Sequence, residues 1–331
     1  MDSTDTGAAT GHETLRETLR AAQRHLESRI VGQETLIERL LMALLSGGHL
    51  LVEGAPGLAK TRAIKELAQV VEGDFHRIQF TPDLLPGDVT GTEVFRPEDG
   101  SFKFQPGPIF HNLLLADEVN RAPAKVQSAL LEAMAEHQVS VGRRTLRLPE
   151  LFLVMATQNP IEQEGTYPLP EAQLDRFLMQ VNVDYPDANA ERRILALVRQ
   201  ESQGATPAPP VRLSQSQIFA ARSELLDVYM SPAVETYLVQ LVMATREPAA
   251  YSAELAGWLD YGASPRASIA LDLCSRALAW LNDRDFVTPD DVQSVAPDVL
   301  RHRLILSFQA QADNINTDQI IDRLLELVPV P

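Results

Sequence analysis

Residues 50–61, Leu-Leu-Val-Glu-Gly-Ala-Pro-Gly-Leu-Ala-Lys-Thr, run an apolar strand straight into a Gly-rich turn that ends in Lys60-Thr61. That arrangement builds a phosphate cradle. Across Gly54, Ala55, Pro56, Gly57, Leu58 and Ala59, mostly small residues let the backbone N–H groups, which Pro56 alone lacks, converge on an anion. The helix that starts near Lys60 adds the positive end of its dipole, and Lys60 brings a full charge to the outer phosphates. Thr61 then places its hydroxyl on Mg²⁺. The generic pattern has glycine just before the lysine, where this chain has Ala59. Taken alone, the segment also reads as an ordinary Gly-rich strand-to-helix turn, and the later segments of the chain decide between the two.

Residues 13–46 carry Leu36, Ile37, Leu40, Leu41, Leu44 and Leu45 at helical spacing, ended by Gly47-Gly48. Beyond the strand at 50–52, the pattern predicts a helix over 61–71 and strands over 75–80, 112–116, 151–156 and 177–183. A helix is expected over 123–137 and a hairpin around Gly142 over 138–147. Residues 81–107 are rich in Pro, Gly and Asp and too long for a plain connection, which predicts an insertion with a hairpin or helix of its own. Strands alternating with helices imply a parallel sheet with helices on both faces and ligands at the strands' carboxyl ends. This α/β domain is expected over 13–200. Residues 201–211 lose all periodicity and read as a linker to a small all-helical domain over 212–331, and residues 1–12 read as a tail without order.

A second signal is Leu113-Leu114-Leu115-Ala116-Asp117-Glu118, an apolar strand ending in two carboxylates. In a nucleotide site Asp117 orients the Mg²⁺ shell, and Glu118 holds and deprotonates the water that attacks the terminal phosphate. A solvated acidic cap is the competing reading. The strand at 151–156 leads to Asn159-Pro160, where Asn159 either hydrogen-bonds the attacking water or serves as a turn asparagine. Arg176 in Leu-Asp-Arg-Phe and Arg266 in Gly-Ala-Ser-Pro-Arg-Ala are each, taken singly, as consistent with a surface ion pair as with a catalytic role.

Composition limits the alternatives. With a formal charge of −16, the chain lacks the clustered Lys and Arg of a standing nucleic-acid binder; Arg143-Arg144 with Arg147 is the clearest basic spot. No apolar run approaches the roughly 20 residues of a membrane helix, and the polar, acidic N-terminus has no signal pattern, which predicts a cytoplasmic protein. The single cysteine, Cys274, falls in an apolar helical pattern and excludes a disulfide framework within the chain.

Together these segments resemble an AAA+ ATPase, most closely the MoxR family. The resemblance runs from about Ile30 to about Arg303, and Asp117-Glu118-Val119-Asn120-Arg121-Ala122-Pro123 is its most characteristic string. Alanine at the position of Ala59 is a trait of that family. The resemblance implies a P-loop NTPase core followed by a helical lid. It assigns Asn159 to sensor 1, on a strand between those of the phosphate turn and the Asp-Glu pair. Arg176 becomes the arginine finger supplied to a neighbour's ATP, and Arg266 sensor 2. Val31 and Gly32, within Ile30-Val31-Gly32-Gln33, resemble the segment beside adenine, and residues 81–95 the insert that marks this branch. It further implies ATP/ADP and Mg²⁺ as cofactors and a self-assembled ring, most simply a hexamer. A von Willebrand A-domain partner and a protein client are implied by the same resemblance. The activity implied is chaperone-like remodelling driven by ATP hydrolysis. A nucleotide-gated scaffold with little turnover and a DNA-acting motor are the alternatives.

Overall fold

The computed structural model describes residues 6–98, 100–142, 144–160, 165–204 and 207–331. It divides into two compact units, the first reaching to Arg176 and taking in Val181–Phe219, the second made of Phe177–Gln180 with Ala220–Pro331.

The first unit opens with α1 (Thr6–Arg29) and α2 (Glu34–Ser46). The periodicity over 13–46 thus breaks once, at 30–33, where Gly32 takes a left-handed backbone (φ 77°) that a continuing helix does not accommodate. Of the segment expected to lack order, residues 1–5 lie outside the described residues, and from Thr6 the backbone is helical. Then come β1 (Leu50–Gly54), α3 (Lys60–Val70) and β2 (Phe75–Gln79). The predicted insertion holds both a short helix, α4 (Pro86–Thr90), and a hairpin of β3 (Gly91–Arg96) with β4 (Ser101–Pro106). After it come β5 (Leu113–Asp117), α5 (Ala124–Glu136), the hairpin β6 (Gln138–Val141) and β7 (Arg144–Arg147), and β8 (Leu153–Gln158). After these come α6 (Glu171–Leu174), β9 (Met179–Val183), of which Val181–Val183 belongs to this unit, and α7 (Ala188–Ser202).

Strands β2, β5, β8, β1 and β9 form one sheet in that order. Its β2/β5, β5/β8 and β8/β1 pairs are parallel. A strand covered on both faces has no polar side, which is why β5 reads as an unbroken apolar run rather than an alternation: Leu113, Leu114, Leu115 and Ala116 are all fully buried. β8 lies between β5 and β1, as the family pattern requires. Leu213 pairs in parallel with Val71; its N–H donates to Val70 O at 2.7 Å and its carbonyl accepts from Glu72 N–H at 2.8 Å. These bonds return the chain after α7 to the α/β unit, so the division falls at Phe219 and not within 201–211. Periodicity failed to show this because a single bridging residue carries it.

The division falls inside α8 (Gln215–Asp227). The second unit then holds α9 (Pro232–Arg246), α10 (Ala253–Trp258), β10 (Leu259–Tyr261), α11 (Pro265–Leu281), α12 (Pro289–Leu300), β11 (Ile305–Leu306), α13 (Phe308–Ala312) and α14 (Thr317–Leu327). Helices dominate, with one short antiparallel pair of β10 and β11 added. Its helices start where side chains accept orphan N–H groups: Ser231 for α9, Ser264 for α11, and capping boxes Thr288/Asp291 for α12 and Asn316/Gln319 for α14. Trp280 and Tyr237 anchor the core, and Cys274 is buried there. Among the described residues no helix is long and apolar enough to cross a membrane.

This packing makes two substitutions informative. Leu114→Ala removes a fully buried side chain from β5 and should cost about 2–5 kcal/mol, read as a lowered midpoint in thermal denaturation of the first unit. His302 is buried, and burial, reinforced by Arg303, holds its imidazole well below the ordinary value of 6.5. A histidine with a depressed folded pKa gives up stability as pH falls below its unfolded value, by about 1.4 kcal/mol per pH unit for one proton. Melting of the second unit should therefore drop below about pH 6.5, and His302→Gln should flatten that slope.

Candidate functional site

The phosphate turn acquires its shape from two left-handed residues. Gly57 (φ 85°) and Ala59 (φ 59°, ψ 10°) turn the backbone between β1 and α3. Glycine adopts this conformation freely, whereas in alanine it costs on the order of 1 kcal/mol, which is the physical reason the generic pattern has glycine there. Gly54 is constrained differently, since a Cβ on it would lie 2.6 Å from Val183 O; only glycine lets β1 and β9 approach this closely. Lys60 Nζ donates to the carbonyls of Gly54, Ala55 (3.2 Å) and Gln158 (3.4 Å). Burial lowers its ammonium below the ordinary value against the opposing pull of Asp117, Glu118 and Glu53.

Strand register assembles the rest. Pairing of Gln79 with Asp117, and of Ala116 with Ala156, sets Asp117 between the ends of β2 and β8. Asp117 Oδ1 accepts from Thr157 Oγ1 at 2.6 Å; Oδ2 accepts from Arg77 Nε at 3.1 Å and Nη2 at 2.7 Å. Glu118, itself left-handed (φ 56°), has its N–H fixed by Thr157 Oγ1 at 2.9 Å. Its carboxylate accepts from Gln79 Nε2 at 2.9 Å and pairs with Arg121 at 3.3 Å. A carboxylate offers about four lone-pair positions, so both acids keep acceptor capacity. Pro56, Gly57, Leu58, Ala59, Lys60 and Thr61 share a cavity of ≈ 330 Å³ with Asp117, Glu118, Thr157 and Asn159. A second cavity of ≈ 360 Å³ adjoins it through Pro56–Ala59 and Arg62 and is walled by Ile30, Val31, Tyr185, Pro186, Ile194 and Leu197. It is mainly apolar, and Gln33 Nε2 closes its rim by donating to Asp184 O at 2.9 Å. A polar anion cradle beside an apolar slot has the form of a nucleotide site.

The residues expected from sequence are not all brought to one place. Pro56, Gly57, Leu58, Ala59, Lys60, Thr61, Asp117, Glu118 and Asn159 line the first cavity, and Val31 the second. Gly54 and Ala55 do not line either cavity but hold Lys60 through their carbonyls. Gly32 forms the break between α1 and α2. Arg176 lies after α6 with Nη1 donating to Leu131 O of α5 at 2.8 Å, and its buried Nε finds no partner among the described residues. Arg266 belongs to the second unit, in the first turn of α11, its N–H donating to Ser264 Oγ at 3.1 Å. Arg143 lies outside the described residues, and Arg144 and Arg147 are exposed on β7. Sequence reasoning missed Arg77, Gln79 and Thr157; the first two stand two apart on one strand, a period-2 signal readable only once β2 is known to flank β5. It also missed Tyr185 and Pro186, which lie far along the chain from the phosphate turn.

The sequence profile of the ATPase family associated with various cellular activities (AAA) matches residues 49–179, and the AAA lid-domain profile residues 257–324. Chaperone MoxR1 of Mycobacterium tuberculosis is 48% identical over 98% of this chain and 85% of its own length. The chain belongs to the MoxR family of AAA ATPases. Protein MoxR of Paracoccus denitrificans is 33% identical over 94% of this chain and 96% of its own. A solved protein of Cytophaga hutchinsonii, assigned as an ATPase, superposes with a TM-score of 0.90 at 46% identity over 98% of each chain.

Lys60→Ala should weaken ATP binding by about 10- to 150-fold, the value of one charge-assisted contact of about 1.5–3 kcal/mol, measured by titration of a fluorescent nucleotide. Ala59→Gly should leave binding intact and change the melting temperature little, because relief of the left-handed strain is offset by greater freedom of the unfolded chain.

Proposed function

We propose that this protein is a Mg²⁺-dependent ATPase whose hydrolysis drives chaperone-like remodelling or activation of a partner protein. The observation that carries the proposal is the convergence of Lys60, Thr61, Asp117, Glu118 and Asn159 on one cavity. The donor set fits the nucleotide. The phosphate turn and Lys60 would hold the β- and γ-phosphates, and the apolar slot beside Val31 and Tyr185 the base. Thr61 and Asp117 would hold Mg²⁺. A hydroxyl and one carboxylate suit a hard cation that takes few protein ligands. When bound, the ion supplies charge neutralisation at the phosphates.

Glu118 takes the proton of the attacking water once its carboxylate leaves Gln79 and Arg121, and the Asn159 amide orients that water. Arg176 would serve a neighbouring protomer's nucleotide, for which its guanidinium is suited: Nη1 is engaged on Leu131 O, and among the described residues Nε has no partner. An arginine so supplied contributes roughly 10³–10⁵ in rate in related phosphoryl transfer, which makes a self-assembled ring, most simply a hexamer, the working form. Arg266 would contact the same protomer's nucleotide from the lid. The name of the Mycobacterium tuberculosis relative supports the chaperone role. A von Willebrand A-domain partner, a protein client and a cytoplasmic setting complete the proposal.

A second reading, a nucleotide-gated scaffold with slow turnover, is favoured by the hydrogen bond and ion pair that hold Glu118 to Gln79 and Arg121. Single-turnover kinetics separates the two. Remodelling predicts that Glu118→Gln binds ATP with near-normal affinity and loses at least 100-fold in hydrolysis, while brisk hydrolysis by this variant removes Glu118 from its role. Arg176→Ala should bind ATP yet hydrolyse poorly, and should regain activity on mixing with Lys60→Ala protomers, which still carry Arg176. No gain on mixing counts against action in trans.

A further inference from the structure

Three consecutive side chains of the second unit grip the residues just after Arg176. Arg301 Nη1 donates to Gln180 O at 2.7 Å. His302 Nε2 faces Phe177 O at 3.2 Å, an acceptor that fixes this nitrogen as the protonated one. Arg303 donates to Leu178 O at 3.2 Å through Nη1 and to Phe177 O at 2.6 Å through Nη2. All three belong to one short helical turn, Arg301–Arg303, directly after α12. The turn is fixed in its own right: Arg301 is held by Asp298 at 2.6 Å and Asp318 at 2.9 Å, and Arg303 also donates to Val299 O. Phe177–Gln180 belongs to the same compact unit as this turn.

Burying a guanidinium carries a desolvation cost that carbonyl partners only partly offset, and a buried neutral imidazole with an unmet nitrogen adds to it. Arg303 and His302 are both buried, and His302 Nδ1 is left without a partner among the described residues. Apolar packing would anchor a strand more cheaply. What planar donors on successive carbonyls add is directional control: the guanidinium of Arg303 spans the carbonyls of Phe177 and Leu178, so the backbone immediately after Arg176 can neither rotate nor slide freely. Arg176 therefore hangs one peptide bond away from Phe177, whose carbonyl is held by both His302 and Arg303, while its own Nη1 rests on Leu131 O of α5.

We infer that Arg301, His302 and Arg303 are positioning residues for Arg176, because they fix the backbone from which that arginine is offered to the neighbouring protomer. The inference rests on the proposed action of Arg176 in trans. A misplacement of about 1 Å at a reacting centre can cost on the order of 100-fold in rate, so a loosened clamp should act on the neighbour's hydrolysis and leave nucleotide binding in the same protomer alone.

Mixed assemblies test this. Acceptor protomers carry Arg176→Ala with an intact phosphate turn; donor protomers carry Lys60→Ala with an intact Arg176. The clamp is then loosened on one side at a time with Arg303→Lys, which keeps the charge but loses the planar fork. The expected result is that donors bearing Arg303→Lys restore at least ten-fold less acceptor ATPase than donors without it. The same substitution placed in the acceptors should cost less than two-fold. Thermal melting and light scattering check that the protomers fold and co-assemble, and Arg301→Gln in the donors gives the second variant should Arg303→Lys unfold. An equal loss from either side, or none from the donors, overturns the inference while the role of Arg176 stands. Failure of unmodified donors to restore activity removes the role of Arg176 itself, and the clamp's proposed purpose with it.

Discussion

The hydroxyl of Thr157 holds the site together. It donates to Asp117 Oδ1 and accepts from the Glu118 N–H, so one buried side chain on β8 fixes both acids at the end of β5. It can do so only because parallel pairing places the end of β8 beside the end of β5. In a parallel sheet every strand ends on the same side, which gathers the phosphate turn after β1, the acids of β5 and Asn159 after β8 at one edge. The apolar runs of these strands supply the burial that makes the register rigid, and the polar residues at their ends inherit that rigidity.

The arrangement of the two acids shows how such a site balances charge. Asp117 lies against Arg77, and Glu118 against Gln79 and Arg121. Lys60 is turned onto backbone carbonyls. Each of these groups has a partner that a nucleotide and its metal ion can replace. The side chain of Arg77 is 45% exposed, so releasing Asp117 carries no heavy desolvation cost for the arginine. In the proposed function, an anion on Lys60 and a cation on Asp117 would exchange one set of partners for another.

The first unit places phosphate turn, acids and Asn159 at the ends of one sheet. Rigid placement of this kind suits groups proposed to meet the same nucleotide at every turnover. The backbone just after Arg176 is fixed by another device, the directional donors of Arg301 and Arg303 on the carbonyls of Phe177, Leu178 and Gln180.

The amino-acid sequence alone determined the α/β class, the phosphate turn, the acidic strand end, the insertion with its hairpin and the helical character of the C-terminal part. All are local: apolar periodicity and the residue types of single turns encode them, and Lys60, Thr61, Asp117 and Glu118 are legible for that reason. The tertiary structure decided what depends on partners distant along the chain. Arg77, Gln79 and Thr157 acquire their roles from strand register, and Tyr185 and Pro186 from the slot they wall with Val31. The return of Leu213 to Val71 and the capture of Phe177–Gln180 by Arg301–Arg303 rest on backbone carbonyls and N–H groups. Those groups are the same in nearly every residue, so no residue pattern announces where they will be used.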